Sequence, residues 1–281
     1  MPALAGRLNF LLATWDACRF DTYEAARTPV LDAYTRARRA YAPGTFTFAS
    51  HAAMFQGMLP HVFEPEPFYN RFFRQLWRIE HRGMARQPLV TFRRGVRSVI
   101  SGFRGEGYFT IGTAAMAWFR GNPILTEEFE VFDWTGINAR RQVRVITDQL
   151  AARPEQPFFA FVNFGETHSP YEHDGMPGAT GRATEGDVPG NKAARQGLRV
   201  ADWQFDEPNW RKQIACAEFL DARTGDLIRF LEQARRPTIV IVCGDHGECF
   251  GEDGLYGHGV YHPKIMEVPL LIFGVGITLP Q

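Results

Sequence analysis

Four short apolar segments constrain the fold more than any other feature of this 281-residue sequence. They are LNFLLATW, PFFAFVNF, TIVIVC and VPLLIF, at residues 8–15, 157–164, 238–243 and 268–273. Runs this short and this apolar are typical of strands buried on both faces of a parallel sheet. Amphipathic helices are predicted between them, over residues 138–153 and 209–234. The alternation predicts an α/β domain with a largely parallel central sheet and helices on both faces.

Shorter segments add to this pattern. Residues 28–40 predict a helix with a proline in its first turn. Residues 52–55 predict a second helix, which Gly57 and Pro60 bring to an end. Residues 108–113 predict a further strand.

The composition limits the class of protein. Lysine and arginine total 31, as do aspartate and glutamate, and this zero formal charge argues against a nucleic-acid-binding protein. No apolar run approaches the roughly 20 residues that span a bilayer. The first residues predict a strand and not a signal peptide. The four cysteines form no CxxC pair, so we expect a reduced, cytoplasmic protein.

Two stretches depart from the α/β alternation. We interpret residues 60–130 and 171–207 as candidate cap or lid insertions within a single catalytic domain of residues 1–281. The second stretch is rich in glycine, proline and acidic residues, and a loop of that length is typical of a lid or binding loop.

The first of these stretches carries many arginines. Between Arg71 and Arg86 they recur every three or four residues, which predicts one face of a helix. The face is either a solvated helix surface or, over residues 71–104, a docking surface for an anionic partner. We favour the first interpretation.

Polar residues follow three of the apolar segments. The first segment ends at Asp16, the second runs into residues 166–168, and the third into Asp245 and His246. Sites in open α/β sheets form at the carboxyl ends of the strands, so these residues are expected to meet. Two carboxylates and an imidazole are a ligand set suited to zinc or manganese.

Thr47 is predicted at the start of a helix, where free N–H groups favour an anion. A hydroxyl coordinated there to a divalent cation loses its proton more easily and becomes a nucleophile. This arrangement suits attack on a phosphate or sulfate ester. The alternatives are that Thr47 is only a helix cap, or that Ser50 or Thr45 is the nucleophile.

Several motifs resemble one family. Residues 243–259, CGDHGECFGEDGLYGHG, resemble the DHGE…GEHGLWGHG signature of the alkaline phosphatase and sulfatase superfamily, and the following HPKIMEVPLLIFG resembles its VPLII segment. LLATWDACRFD resembles the family's first strand. TFASHAAMFQGMLPH resembles the nucleophile segment TFPNH or TLPSH, and FVNFGETHSPY resembles the strand that delivers a substrate-facing histidine. The segments stand in family order over most of the chain.

The resemblance implies roles for individual residues. The implied ligands of one divalent metal are Asp16, Thr47, Asp245 and His246, with Thr47 also the nucleophile. His168 and His258 match positions that hold the transferred oxyanion, protonate a leaving group or ligate a second ion. Zinc or manganese is the expected metal, with calcium or magnesium as alternatives, and a second ion is left open.

The sequence also departs from the family pattern. Sulfatases proper convert a cysteine to formylglycine within CxPxR, whereas here Thr47 is followed by Ala49 and His51. Many sulfatases carry a second aspartate where Ala17 stands. These differences argue against a formylglycine enzyme. No room remains after Pro280 for the family's small C-terminal sheet domain, so a minimal version of the fold is expected.

The other polar residues near these motifs are expected to have supporting positions and not direct roles in the chemistry. Arg19 and Asp21 are expected to pair near the site, and the role of Glu248 is left open. The remaining histidines are expected at the surface or behind the site; they are His51, His61, His81, His173 and His262.

The function implied is metal-dependent hydrolysis of a phosphate mono- or diester through a covalent phosphothreonine at Thr47. The substrate is expected to be a small-molecule or carrier-linked phosphoester, with no nucleic-acid partner. The alternatives are a sulfoester hydrolase, a phospho-group transferase on the same scaffold, and a non-catalytic binding protein that keeps the fold.

Overall fold

The computed structural model describes residues 8–57, 77–80, 89–92, 98–176 and 204–280. The strands are β1 (Asn9–Trp15), β2 (Arg38–Tyr41), β3 (Trp77–Glu80), β4 (Leu89–Phe92), β5 (Phe109–Ala114), β6 (Val131–Trp134), β7 (Phe158–Phe164), β8 (Thr238–Gly244), β9 (Cys249–Phe250), β10 (Tyr256–Gly257) and β11 (Glu267–Val275). The helices are α1 (Phe20–Ala25), α2 (Pro29–Asp32), α3 (Thr47–Gln56), α4 (Val99–Gly105), α5 (Pro123–Thr126), α6 (Ala139–Ala151), α7 (Glu207–Glu232) and α8 (Pro263–Met266). Short 3₁₀ turns occupy Ala117–Phe119 and Glu252–Gly254.

Seven strands of the described residues form one sheet, in the order β2-β11-β8-β1-β7-β5-β6. Strands β8, β1, β7, β5 and β6 run parallel to one another. Strand β11 is antiparallel to both β8 and β2. The predicted α/β fold with a largely parallel sheet is confirmed.

The apolar character of β7 shows why the sheet lies in the middle of the fold. Its alternate residues Phe158, Ala160, Val162 and Phe164 belong to a core shared with α6 and α7. The intervening Phe159 and Phe161 belong to a second core, which also contains residues of α3 and α4. Successive side chains of a strand point to opposite faces, so a strand between two cores must be apolar throughout. Helices therefore cover both faces, as predicted.

The two long helices begin at polar caps. The side chain of Asn138 accepts a hydrogen bond from Arg141 N at 2.9 Å, and that of Asp206 accepts one from Asn209 N at 3.2 Å. Each cap satisfies a backbone N–H that has no partner within the helix. These caps place the starts of α6 and α7 within two residues of the predicted positions.

The predicted helix over residues 28–40 is wrong in its second half. Only Pro29–Asp32 is helical, with the Asp221 carboxylate accepting hydrogen bonds from the backbone of Val30 and Leu31 at 3.0 and 2.9 Å. Arg38–Tyr41 forms the edge strand β2, which pairs with β11. The backbone ladder offered by β11 outweighs a weak local helix preference.

The predicted arginine-bearing helix is also wrong where the structure describes it. Trp77–Glu80 is strand β3, paired antiparallel with β4. Its sequence alternates apolar Trp77 and Ile79 with charged Arg78 and Glu80, the period of a strand. Apart from β3 and β4, residues 71–97 lie outside the described residues. The anionic partner proposed for residues 71–104 stays a prediction.

Part of the first candidate insertion belongs to the central sheet and the helices packed on it. Helix α4 and strand β5 pack in the main domain, so residues 98–130 are part of it. The remaining candidate regions, 58–97 and 177–203, lie largely outside the described residues, and their role as caps stays a prediction. None of the helices in the described ranges has the length and apolar character needed to cross a membrane.

A close backbone approach joins two strand ends. A Cβ placed on Gly244, the last residue of β8, would lie 2.5 Å from the Cys18 carbonyl oxygen and 3.0 Å from Val268 Cβ. Real Cβ atoms do not come this close to backbone, so only glycine lets the loop after β1 lie against the end of β8.

We therefore expect Gly244→Ala to lower the free energy of unfolding of the metal-free protein by about 1–3 kcal/mol, as overpacking does. Urea denaturation measures this change. Gly102→Ala is the matched control, because a Cβ on Gly102 in helix α4 meets open space. That substitution should raise the free energy of unfolding by roughly 0.5–1 kcal/mol. Equal stability of the two variants would contradict the packing argument.

Candidate metal centre and active site

Four polar side chains meet at the carboxyl edge of the sheet. Asp16 directly follows β1, Asp245 and His246 follow β8, and Thr47 is the first residue of α3. All four are buried, with at most 1% of their surface exposed. Strands β1 and β8 are neighbours in register, which brings Asp16 beside Asp245 although 229 residues separate them in the chain (245 − 16).

The distances define a compact donor cluster. Thr47 Oγ1 lies 3.3 Å from Asp16 Oδ1 and 3.4 Å from His246 Nε2. His246 Nε2 lies 3.6 Å from Asp16 Oδ1 and 3.5 Å from Asp245 Oδ2. Ligands of a single zinc ion lie about 2 Å from the metal, so atoms with this spacing could share one ion.

Thr47 is not a helix cap. The N-cap position of α3 is Phe46, and the Thr47 hydroxyl is directed to Asp16. The alternative that Thr47 serves only as a cap is therefore wrong. Ser50 is fully buried about one turn further along α3, and its hydroxyl has no hydrogen-bond partner in the described residues.

One carboxylate oxygen shows that the cluster fits a cation. Within the described part of the chain, Asp245 Oδ2 is buried and has no hydrogen-bond partner. A buried carboxylate oxygen without a partner is costly unless the group keeps a proton or a cation coordinates it. His246 Nδ1 donates to the Gly247 carbonyl at 2.8 Å, which leaves Nε2 as the ring nitrogen directed to the cluster.

The electrostatics of the two aspartates differ. Burial raises the pKa of Asp245 well above its ordinary value, and the neighbouring charge of Asp16 raises it further. Burial also acts to raise the pKa of Asp16, but the hydrogen bond and charge of His246 outweigh it, so this pKa falls below its ordinary value. Without a cation the pair therefore keeps a proton on Asp245.

The backbone at Ala17 orients Asp245. Ala17 has a φ of 59°, in the left-handed region that costs a non-glycine residue energy. In this conformation its N–H donates to Asp245 Oδ1 at 3.1 Å, and His246 N donates to the same oxygen at 2.9 Å. Gln213 holds the Ala17 carbonyl at 2.9 Å. Oδ1 is thus satisfied by protein, which leaves Oδ2 for a metal.

Asn163 is a site residue that sequence reasoning missed. It lies near the end of β7, and its Nδ2 donates to Asp16 Oδ2 at 2.9 Å and to Thr14 Oγ1 at 3.2 Å. The signal available was a single amide in the otherwise apolar run PFFAFVNF.

His51 lies behind the site and is fully buried. Its Nδ1 donates to the Thr47 carbonyl at 2.8 Å, and its Nε2 is paired with Thr14 Oγ1 at 2.9 Å. Burial lowers the pKa of His51 to about 4, so the ring is neutral at pH 7. His51 therefore anchors the first turn of α3, which carries Thr47.

The two histidines matched to substrate-facing positions lie together beside the cluster. The His258 ring centroid is 4.5 Å from that of His246 and 5.2 Å from that of His168. Of the other polar residues after β7, Glu166 accepts hydrogen bonds from the backbone of Ala139 and Gly165, and Thr167 donates to the Asp16 carbonyl. Only His168 of this run approaches His258.

Glu248, whose role the sequence left open, binds His258. Its Oε1 is 3.1 Å from His258 Nδ1, and its Oε2 accepts from the Tyr171 hydroxyl at 2.6 Å. Burial acts to raise the pKa of Glu248, but the hydrogen bond and charge of His258 outweigh it and the pKa is lowered.

The predicted pair of Arg19 and Asp21 is confirmed, with two hydrogen bonds of 2.7 and 2.6 Å. Arg19 also binds Glu252 at 2.6 Å, and Lys264 binds Asp21 at 2.6 Å. This network joins the loop after β1 to the loop after β8.

The remaining histidines lie away from the cluster. His173 stacks on Phe219, and His262 contacts Cys249 and Asp253. His61 and His81 lie outside the described residues.

Comparison with known families decides the classification. A family model described as Sulfatase matches residues 13–281. The chain belongs to the Sulfatase family. Its resemblance to the alkaline phosphatase and sulfatase superfamily is confirmed.

Proteins similar to this chain differ in their named activities. A choline-sulfatase from Rhizobium meliloti (strain 1021) is 26% identical over 191 residues, which cover 61% of this chain and 36% of that protein's length. The C-terminal periplasmic domain of phosphoethanolamine transferase EptC from Campylobacter jejuni matches with a TM-score of 0.62 and 10% identity, over 95% of this chain and 79% of that domain. The same domain of EcEptC from Escherichia coli, in complex with Zn, matches with a TM-score of 0.59 and 12% identity, over 95% and 73%. These structural matches establish the fold alone.

We expect zinc or manganese to bind more tightly as the pH rises. The cation needs an ionised Asp245, whose raised pKa keeps a proton on it in the metal-free protein. Binding should therefore release a proton, which isothermal titration calorimetry in buffers of different ionisation enthalpy measures.

Asp245→Asn should abolish this proton release and weaken metal binding, while Asp253→Asn, an exposed carboxylate outside the cluster, should change neither. An affinity that is independent of pH, or equal in both variants, would contradict the assignment.

Proposed function

We propose that this protein hydrolyses a phosphate monoester or diester, with Thr47 as nucleophile and a divalent metal held by Asp16, Thr47, Asp245 and His246. One observation carries the proposal: the Thr47 hydroxyl, at a helix start, lies 3.3 Å from Asp16 Oδ1 and 3.4 Å from His246 Nε2. A buried hydroxyl within hydrogen-bond reach of a carboxylate and an imidazole has the geometry that an activated nucleophile requires.

The donor set favours zinc or manganese, because it combines an imidazole with carboxylates; calcium and magnesium prefer oxygen ligands alone. A bound divalent cation supplies a Lewis acid that lowers the pKa of the Thr47 hydroxyl and neutralises charge on the phosphoryl oxygens. The four donors account for one ion.

The residues themselves account for the bond changes. Thr47 Oγ1, having lost its proton to solvent, forms a bond to phosphorus while the bond to the leaving oxygen breaks. The free N–H groups at the start of α3 favour the negative phosphoryl group. His168 and His258 hold its oxygens or give a proton to the leaving alcohol. A water molecule then attacks phosphorus in the covalent intermediate, which restores the Thr47 hydroxyl and releases phosphate from a monoester or a phosphate monoester from a diester.

The proposal also includes the class of substrate and the cellular compartment. The substrate is a small-molecule or carrier-linked phosphoester. A reducing, cytoplasmic setting is supported by four buried cysteines that form no disulfide, although the EptC domains of similar fold are periplasmic.

Thr47→Ala should lower kcat/KM for 4-nitrophenyl phosphate or its diester by roughly 10³-fold or more, because the covalent route is lost. Steady-state kinetics with added metal measures the change, and circular dichroism checks the fold.

Ser50→Ala and Thr45→Ala are the matched controls, and both should keep activity within about threefold of wild type. Activity that survives in Thr47→Ala but is lost in either control would move the nucleophile to that residue. An acceptor alcohol that raises turnover without free phosphate would identify a transferase instead.

The same leaving group should react faster as a phosphate than as a sulfate. Threonine cannot expel sulfate by collapsing to an aldehyde as formylglycine does, whereas a phosphothreonine is released by attack of water. We expect kcat/KM for an aryl phosphate to exceed that for the matching aryl sulfate at least tenfold, or roughly 1.4 kcal/mol in barrier.

Kinetics of 4-nitrophenyl phosphate and 4-nitrophenyl sulfate, measured in parallel with the same metal, test this. Faster sulfate turnover would reverse the substrate class and leave the metal ligands unchanged. No turnover of either ester, with metal bound, would favour a binding protein.

A further inference from the structure

The two histidines beside the metal cluster are held in different ways. His258 Nδ1 pairs with a carboxylate, Glu248 Oε1, at 3.1 Å. His168 Nδ1 instead donates to the carbonyl of its neighbour Ser169 at 2.8 Å. A backbone carbonyl adjacent in sequence restrains a ring only locally, whereas a carboxylate from a separate loop ties His258 to the rest of the site.

Glu248 is itself held on three sides. Only 1% of its surface is exposed, and its second oxygen accepts from the Tyr171 hydroxyl at 2.6 Å. Its backbone carbonyl accepts from Arg19 Nη1 at 3.3 Å. A side chain with both oxygens bound and its backbone anchored cannot change rotamer without breaking buried hydrogen bonds.

The backbone of Tyr171 adopts a strained conformation. It is 2% exposed and has a φ of 59°, a left-handed conformation that is rare for a bulky residue. Its ring packs against Phe250 at a centroid distance of 5.3 Å, and its hydroxyl donates to Glu248. Such backbone strain persists where the surroundings over-determine it, often at functional sites.

We propose that Glu248, held by Tyr171, is a positioning residue that fixes the His258 ring for its part in the reaction. The contact keeps a proton on Nδ1 and directs Nε2 to the substrate, to which the ring can give a proton from Nε2 when both nitrogens are protonated. The His258 ring lies 4.5 Å from that of the metal-ligand candidate His246, so a small rotation would move Nε2 away from a phosphoryl group bound there. The proposal rests on the proposed function of this site and adds the residues that orient His258.

The alternative is that Tyr171 and Glu248 only cross-link two loops. In that case removing the charge of Glu248 would lower stability and leave the chemistry of bound substrate unchanged. The two possibilities differ in what happens when His258 is absent.

The experiment uses Glu248→Gln, which keeps the side-chain shape and removes the charge. With phenyl phosphate, whose leaving group is poor, we expect kcat to fall roughly 10²-fold with KM nearly unchanged, in the range lost when proton transfer fails. With 2,4-dinitrophenyl phosphate the loss should be under about threefold, because that leaving group needs no proton. Tyr171→Phe should show the same pattern with a smaller loss.

A double-mutant cycle distinguishes positioning of His258 from a cross-link that only stabilises the two loops. If Glu248 acts through His258, Glu248→Gln should cost nothing further in a His258→Gln background. Asp253→Asn is the matched control, because Asp253 is a carboxylate paired with His262 at 3.2 Å on the same stretch of chain, outside the cluster. It should leave both kcat values unchanged. Losses that multiply in the double variant, or that Asp253→Asn reproduces, would overturn the proposal.

A second measurement does not depend on turnover. Long-range ¹H–¹⁵N NMR of the histidine rings, with His258 assigned from the His258→Gln spectrum, reports which ring nitrogen carries the proton. In wild type Nδ1 of His258 should carry a proton whether or not Nε2 is also protonated, and in Glu248→Gln the neutral ring should show a mixture of the two tautomers. A wild-type His258 protonated only at Nε2 would overturn the proposal. If wild type turns over no phosphate ester but shows the Nδ1 tautomer, the proposed function fails and the positioning contact stands.

Discussion

The rest of the site depends on the electrostatic repulsion between two carboxylates that are buried side by side. Asp16 and Asp245 follow adjacent parallel strands, and burial prevents water from screening their repulsion. In the metal-free protein the pair is tolerable because Asp245 keeps a proton. A divalent cation removes the conflict and leaves both carboxylates charged. A site built in this way lowers the stability of the empty fold in exchange for metal affinity.

The surroundings satisfy each atom of this pair that a metal would not use. Asp16 Oδ2 receives the Asn163 amide, and Asp245 Oδ1 receives two backbone N–H groups. Ala17 adopts a strained left-handed conformation to supply one of those N–H groups. Only Asp16 Oδ1 and Asp245 Oδ2 then remain to face Thr47 and His246. A cation bound here would therefore meet one free oxygen on each carboxylate, an arrangement that hydrogen bonds around the site hold in place in advance.

Local periodicity predicted the strands correctly where both faces of a strand are buried. It gave the wrong element where hydrogen bonding to a distant strand determines the conformation. Strand β7 could be predicted because both of its faces are buried, which requires a continuous apolar run. Residues 38–41 could not, because the segment RRAY becomes a strand only by hydrogen bonding to β11, more than 220 residues away. The same holds for β3, where pairing with β4 replaced the helix that the arginine spacing indicated.

The sequence by itself determined the parallel sheet and the candidate ligands, because apolar strands that end in Asp16 and Asp245 bring those residues to one edge whatever the loops do. Only the tertiary structure decided what holds the ligands in place. Asn163 and Asp16 are 147 residues apart, and Tyr171 and Glu248 are 77 apart. Hydrogen bonds between such distant side chains leave no period in the sequence, because their partners are set by how strands and loops pack.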